Sequence, residues 1–209
     1  KKALDFDISR ISGCIISHEH GDHAKHVKQF TDARINCFMS KGTADALKLD
    51  YTSVRPMVYT LQTYEVYHID NFTIQPFDTQ HDAAEPFGYL IYHHECGTVL
   101  FATDTYYLAN KFAGLSNILI ECNYSLDLLE ANIASGRIPT ALRNRVIQSH
   151  MSIDTCRETL IANDLSKVNN IVLIHLSEGN SNAEQFRKII EKATGKIVTI
   201  AKKGLEMYF

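Results

Sequence analysis

Apolar positions along the chain come in short bursts whose spacing changes from one segment to the next. The run Ile11 to Ile16 is nearly continuous and predicts a buried strand, because a strand shielded on both faces loses the alternation of a half-exposed one. Ala24 to Phe30 reads as a short helix and Ile35 to Met39 as a strand. Ser40 reads as the cap of a helix running to Leu49, since a serine hydroxyl accepts from the free N–H groups of a first turn. Alternation then takes over. Tyr64 to Ile69 and Phe72 to Phe77 flank Asp70-Asn71, and Tyr89 to His93 and Thr98 to Ala102 flank His94 to Gly97, so two hairpins are predicted. Asn117 to Glu121 predicts a short buried strand, followed by helices over 126–134, 140–148 and 153–162. Ile171 to Ile174 has the β-branched character of a buried strand. Ala183 to Ala193 predicts a helix capped by Asn182, and Ile197 to Ile200 and Leu205 to Tyr208 predict closing strands around Lys202-Lys203-Gly204. Meander strands mixed with βα units predict an α/β fold with helices packed outside mixed sheets.

Length and charge narrow the class. A chain of 209 residues with 45% hydrophobic content can bury a sizeable core and needs no more than one domain, spanning 1–209. A net charge of −3 excludes a broadly basic nucleic-acid coat but not a local phosphate-binding patch. The five cysteines form no CxxC pair and most read as small buried thiols, so a reducing, cytoplasmic setting is expected. No 18-residue apolar stretch is present, and no membrane span is expected. No signal peptide is read at the start of the chain.

The chemistry concentrates at strand ends. Directly after the first strand comes Ser17-His18-Glu19-His20-Gly21-Asp22-His23, whose three imidazoles and Asp22 carboxylate packing has no use for. His81, Asp104 and His175 each follow another predicted strand, and His150 follows a predicted helix. Loops at strand ends can converge while rigid strands fix their spacing. Neutral imidazole and carboxylate suit Zn²⁺, Mn²⁺ or Fe, and the lack of thiolates among them argues against a closed structural zinc site. The plain alternatives are a His-rich polar loop, a surface histidine at His81, a turn aspartate at Asp104 and a satisfied core histidine at His175.

His18-x-His20-x-Asp22-His23 resembles the signature of the metallo-β-lactamase superfamily. His81, then Asp104 in Ala102-Thr103-Asp104-Thr105, then His175 in Leu173 to Ser177 follow in that family's order, and the resemblance runs from residue 11 to 209. It implies a four-layer αββα sandwich of the metallo-β-lactamase type, lacking its first N-terminal strands in this chain because the motif strand starts so early. It also implies two divalent metal ions, Zn²⁺ or Mn²⁺. His18, His20 and His81 would hold the first, Asp22, His23 and His175 the second, with Asp104 bridging. Ile118 to Tyr124 and Ser149-His150-Met151-Ser152 resemble segments of the nuclease members. Their pattern is similar to the YycJ (WalJ)-like group, related to RNase Z and RNase J. Ser149 stands where that group has Gly, Met151 where it has Leu, and Gly179 to Asn182 vary a third motif.

The function this implies is a phosphodiesterase acting on DNA in exonuclease fashion, by attack of a metal-bound hydroxide. Asp22, His150 and Glu121 are the expected catalytic residues. Ser152 caps the helix after His150, which places that imidazole beside an anion-attracting N-terminus and suits it to protonate a leaving oxygen. Glu121 would orient His150. Arg143 and Arg145, with Arg137 nearby, are expected to join His150 and Ser152 in binding phosphate, against the alternative of a solvated helix face. Two rival functions use the same ligands: hydrolysis of a small carbonyl substrate (lactam, lactone or thioester), and a non-catalytic metal-binding scaffold. The preference for DNA over RNA rests on the resemblance alone.

Overall fold

Short apolar bursts fold into short strands, and the connections between them decide whether neighbours run parallel or antiparallel. A computed structural model of the chain describes residues 7–53 and 56–209. The chain divides into two units, one running to Asp78 and including Ala83–Phe87, the other holding Thr79–Asp82 and Gly88–Phe209.

The first unit carries a parallel sheet of β1 (Cys14–Ile15), β2 (Cys37–Ser40) and β3 (Val58–Leu61), in that order. Parallel neighbours need crossovers. These are α1 (Gly21–Ala24) and α2 (Val27–Asp32) after β1, and α3 (Lys41–Ala46) after β2. Ile16, Ala24, Val27, Cys37, Met39, Ala44 and Val58 form the core between the helices and the sheet. The single helix expected over Ala24 to Phe30 is two shorter ones. The first closes with Lys25 N–H on the Gly21 carbonyl, and the chain re-enters a helix after His26 at φ −104°, ψ 5°. Ser40 caps α3 as expected, its hydroxyl accepting from Thr43 N–H at 3.0 Å. Strand β3 went unpredicted because Val58 and Leu61 are buried around exposed Tyr59 and Thr60, a spacing that follows neither period. The hairpin of β4 (Tyr67–Ile69) and β5 (Phe72–Asp78) turns at Asp70, φ 54°, as its alternation predicts.

The second unit is built on β6 (Phe87–His93, from Gly88 onward), β7 (Gly97–Ala102), β8 (Leu115–Glu121), β9 (Asn170–Ile174) and β10 (Ile197–Ile200). They lie in the order β10-β9-β8-β7-β6, with β6 and β7 antiparallel and the other pairs parallel. Helices α4 (Leu126–Ala134), α5 (Thr140–Ser149) and α6 (Ile153–Ile161) connect β8 to β9, and α7 (Ala183–Thr194) connects β9 to β10. Because β7, β8 and β9 are parallel and nearly in register, their carboxyl ends open side by side. Ala102 pairs with Ile120, and Glu121 with Ile174. Ligand sites of parallel sheets form at that edge. The predicted last strand, Leu205 to Tyr208, is not one: after Ala201 N–H reaches the Leu173 carbonyl, the chain turns through Gly204 (φ 82°) and leaves the sheet, with Tyr208 97% exposed. Among the described residues no helix is long and apolar enough to cross a membrane.

The β6–β7 turn depends on Gly97, which sits at φ 70° with the Ser116 side chain where a Cβ would go. Gly97→Ala therefore combines a left-handed backbone penalty with overpacking, and is expected to lower stability by about 2–4 kcal/mol. Urea unfolding of the two proteins checks this; an unchanged midpoint would contradict it.

Candidate metal centre

The first unit assembles its histidines locally. Ile16 N–H still bonds the Phe38 carbonyl at 2.9 Å, so the chain leaves the sheet only at Ser17. His18 is buried at 1% exposure, with its Nδ1 3.1 Å from the Ser17 hydroxyl. His20 opens α1, accepting at its carbonyl from His23 and Ala24 N–H. That turn gathers the rings: His18 lies 4.7 Å from His20, edge to face, and 4.2 Å from His23 at a tilt of 38°, centroid to centroid. Asp22 is exposed, 3.4 Å from His23 Nε2. The remaining acid of the motif does something else. Glu19 accepts from Ala84 N–H at 2.7 Å, and with Phe87 N–H on the Ser17 carbonyl it fastens segment 83–87 to the motif.

The second unit gathers His81, Asp104, Glu121, His150 and His175. Glu121, the last residue of β8, is fully buried and accepts four hydrogen bonds. Its Oε1 takes Nδ1–H from both His150 (2.8 Å) and His175 (2.9 Å), and its Oε2 takes backbone N–H from Thr105 (2.7 Å) and Met151 (3.2 Å). Asp104 is buried and lies 3.1 Å from His175 Nδ1, while Thr103 donates its hydroxyl to the same Asp104 oxygen at 2.6 Å. His81 Nδ1 lies 2.7 Å from the Ser149 carbonyl, and its Nε2 lies 3.6 Å from Asp104 and 3.3 Å from Asp82. The His150 ring stands 5.2 Å from His81 and 5.3 Å from His175. Ligand atoms of His81, Asp104 and His150 lie within 4.8 Å of one another, as do those of Glu121, His150 and His175.

This donor set fits a cation. A carbonyl oxygen only accepts, so His81 carries its proton on Nδ1 and offers the Nε2 lone pair. Burial holds the His81 imidazole below its ordinary pKa, against the Ser149 carbonyl and Asp104, which pull it up. The neutral, ligating form is thereby favoured. His175 is oriented the same way by Glu121. An imidazole whose far nitrogen is held by a carboxylate or carbonyl is the usual arrangement of a metal-binding histidine. Two of these residues also sit on unusual backbone: Asp104 at φ 41° and His175 at φ 57°. Left-handed geometry at non-glycine residues costs about 1–3 kcal/mol and collects at functional sites. Here it bends the chain away from the ends of β7 and β9 directly at the polar side chain.

The remaining expected residues divide. Ser152 caps α6, accepting from Thr155 N–H at 3.1 Å. Arg143 is tied to Glu130 on α4 at 2.6 Å, and Arg145 to Asp82 at 3.2 Å, so each guanidinium already has a carboxylate partner. Burial pushes the Asp82 carboxyl up, but His81 and Arg145 together bring it below its ordinary range. Sequence reasoning gave Glu121 to His150 and missed its hold on His175. A lone acid ending an apolar strand was the available signal. The Ser149 carbonyl, the Thr103 hydroxyl and the bond from Asn123 Nδ2 to the His175 carbonyl (2.8 Å) left no such trace.

Comparison with known proteins bears on the family and the fold. The family model described as a beta-lactamase superfamily domain matches residues 2–176. The chain is 22% identical over 199 residues to exodeoxyribonuclease YycJ of Bacillus anthracis, covering 91% of this chain and 74% of that protein. Two of the solved structures that share its fold illustrate the likeness. One is the metallo-beta-lactamase fold protein YhfI from Bacillus subtilis, with TM-score 0.68, 17% identity, and 98% and 81% of the two chains covered. The other is Igni18, a metallo hydrolase from Ignicoccus hospitalis, with TM-score 0.63, 15% identity, and 97% and 82% covered.

Proposed function

The chain belongs to the metallo-β-lactamase superfamily, and from that premise we propose that it is a dinuclear-metal-dependent phosphodiesterase that degrades DNA from an end. By the family resemblance, His18, His20 and His81 would hold one cation, Asp22, His23 and His175 would hold the other, and Asp104 would serve both. Two divalent cations, Zn²⁺ or Mn²⁺, supply Lewis acidity and a nucleophilic water at neutral pH. The reducing cytoplasm is the proposed compartment, which suits the five free thiols.

The observation that carries the reading is the Glu121–His150 contact. With Nδ1–H held at 2.8 Å by a buried carboxylate, His150 presents Nε2, the nitrogen that can pass a proton to a departing alkoxide. Departing nucleosides need that proton, because a sugar hydroxyl is a poor leaving group. Lactam or thioester cleavage by the same cations does not call for a second, carboxylate-held histidine. The exodeoxyribonuclease relative points to the same substrate class. Ser152, at the start of α6, and Arg145, paired with Asp82, are the proposed phosphate contacts; Arg143 joins them when it leaves Glu130.

The test is hydrolysis of end-labelled single- and double-stranded DNA and RNA with Zn²⁺ or Mn²⁺, before and after chelation. Mononucleotide release from DNA is expected, abolished by chelation and restored by added metal. Turnover confined to nitrocefin, lactones or thioesters would overturn the reading in favour of carbonyl hydrolysis.

A further inference from the structure

We propose that Tyr106 and Tyr107 form an aromatic platform that stacks nucleobases of a single-stranded polynucleotide beside the metal-binding residues of the second unit. The proposal rests on the phosphodiesterase reading above and names the form of nucleic acid that the site takes.

The two tyrosines directly follow Asp104-Thr105 and are 41% and 50% exposed, whereas Asp104, Thr105 and Leu108 around them are buried. Each tyrosine keeps about half its surface in water, so apolar ring area remains for a ligand to cover. The turn that carries them is rigid. Thr105 N–H is held by Glu121 at 2.7 Å, and the Thr105 hydroxyl accepts from Gln80 N–H at 2.9 Å and donates to the Tyr107 carbonyl at 2.7 Å. Tyr106 N–H bonds the Gln80 carbonyl at 3.0 Å. One side of the turn is therefore fastened to the carboxylate that holds His150 and His175. The other side is fastened to the residue preceding His81.

A pedestal of this kind suits stacking. Tyrosine is flat and has few rotatable bonds, so holding it against a base costs little entropy. Every base has a π-face, so such a platform tolerates any sequence. Those faces are available only when the strand is single, since in a duplex they are covered by neighbouring bases. Tyr107 also lines a groove of about 300 Å³ with Lys111, Thr155, Glu158 and Asn163. Its α6 wall begins just beyond Ser152, two residues after His150. Lys111 supplies a cation for one phosphate, and Glu158 repels a further one. The platform thus accommodates a short stretch of strand, one or two nucleotides long.

The test uses the metal-loaded full chain and two phosphorothioate-linked oligomers of equal length, one oligothymidylate and one abasic, with binding followed by fluorescence anisotropy. Wild type is expected to bind the base-bearing oligomer about tenfold more tightly, on the scale of base–aromatic stacking. Tyr106→Ala and Tyr107→Ala should each reduce that preference severalfold, the double variant should bring it near one, and Tyr106→Trp with Tyr107→Trp should preserve it. No preference in wild type, a preference unchanged in the double alanine variant, or equal weakening toward both oligomers would overturn the platform. Absence of DNA hydrolysis alongside an intact, tyrosine-dependent preference would instead count against the phosphodiesterase reading.

Discussion

Replacing Glu121 with alanine is expected to damage three properties at once. The carboxylate is fully buried and is the acceptor for two imidazoles and two backbone N–H groups. Its removal strands the buried N–H groups of Thr105 and Met151 and loosens two half-buried imidazoles, of which His175 keeps Asp104 at 3.1 Å, which should cost about 2–4 kcal/mol of stability. Metal affinity should fall about 10–100-fold, because His175 loses the contact that fixes its orientation. Turnover should fall by about 10³-fold or more, because His150 is released as well. Glu121→Gln separates shape from charge. An amide fills the same volume, but its NH₂ group faces donors wherever it points, so glutamine is expected to recover little. Thermal unfolding, equilibrium dialysis of the metal and kcat measured on the same preparations distinguish these effects. A glutamine variant with full activity would show that the buried negative charge is not what holds the two histidines.

His150→Ala is expected to behave differently although its partner is the same. Turnover on DNA should drop about 10²–10⁴-fold, the range of a lost proton donor, with metal content unchanged. The loss should be much smaller on a p-nitrophenyl phosphodiester, because nitrophenolate departs without a proton. Metal analysis together with the two substrates checks this. Loss of bound metal would reassign His150 as a ligand, and equal losses on both substrates would remove the proton-donor role.

What the sequence disclosed tracks how local each feature is. The hairpin at Asp70, the cap at Ser40 and the histidines of residues 18–23 are written within a few positions of one another, and the structure places them where the pattern says. Asp104 and His175 were legible as polar residues ending apolar strands. The shared grip of Glu121 was not, because its two histidines lie 29 and 54 residues further along, His175 brought there by the β8–β9 register and His150 by the chain leaving α5, where Asn123 N–H bonds the Met151 carbonyl. Strand β3 was hidden by its buried-exposed-exposed-buried order. Leu205 to Tyr208 carried a strand-like pattern, but the chain leaves the sheet at Gly204 before they can pair. The carboxylate partners of Arg143 and Arg145 were not legible either, because Glu130 and Asp82 are 13 and 63 residues away.

The left-handed backbone at Asp104 and His175 sets robustness against chemistry. Glycine would relieve the torsion at either position while discarding the side chain proposed to bind metal. A selection for heat resistance that ignored turnover would be drawn toward losing both, and an engineer hardening this scaffold has reason to fix those two codons first.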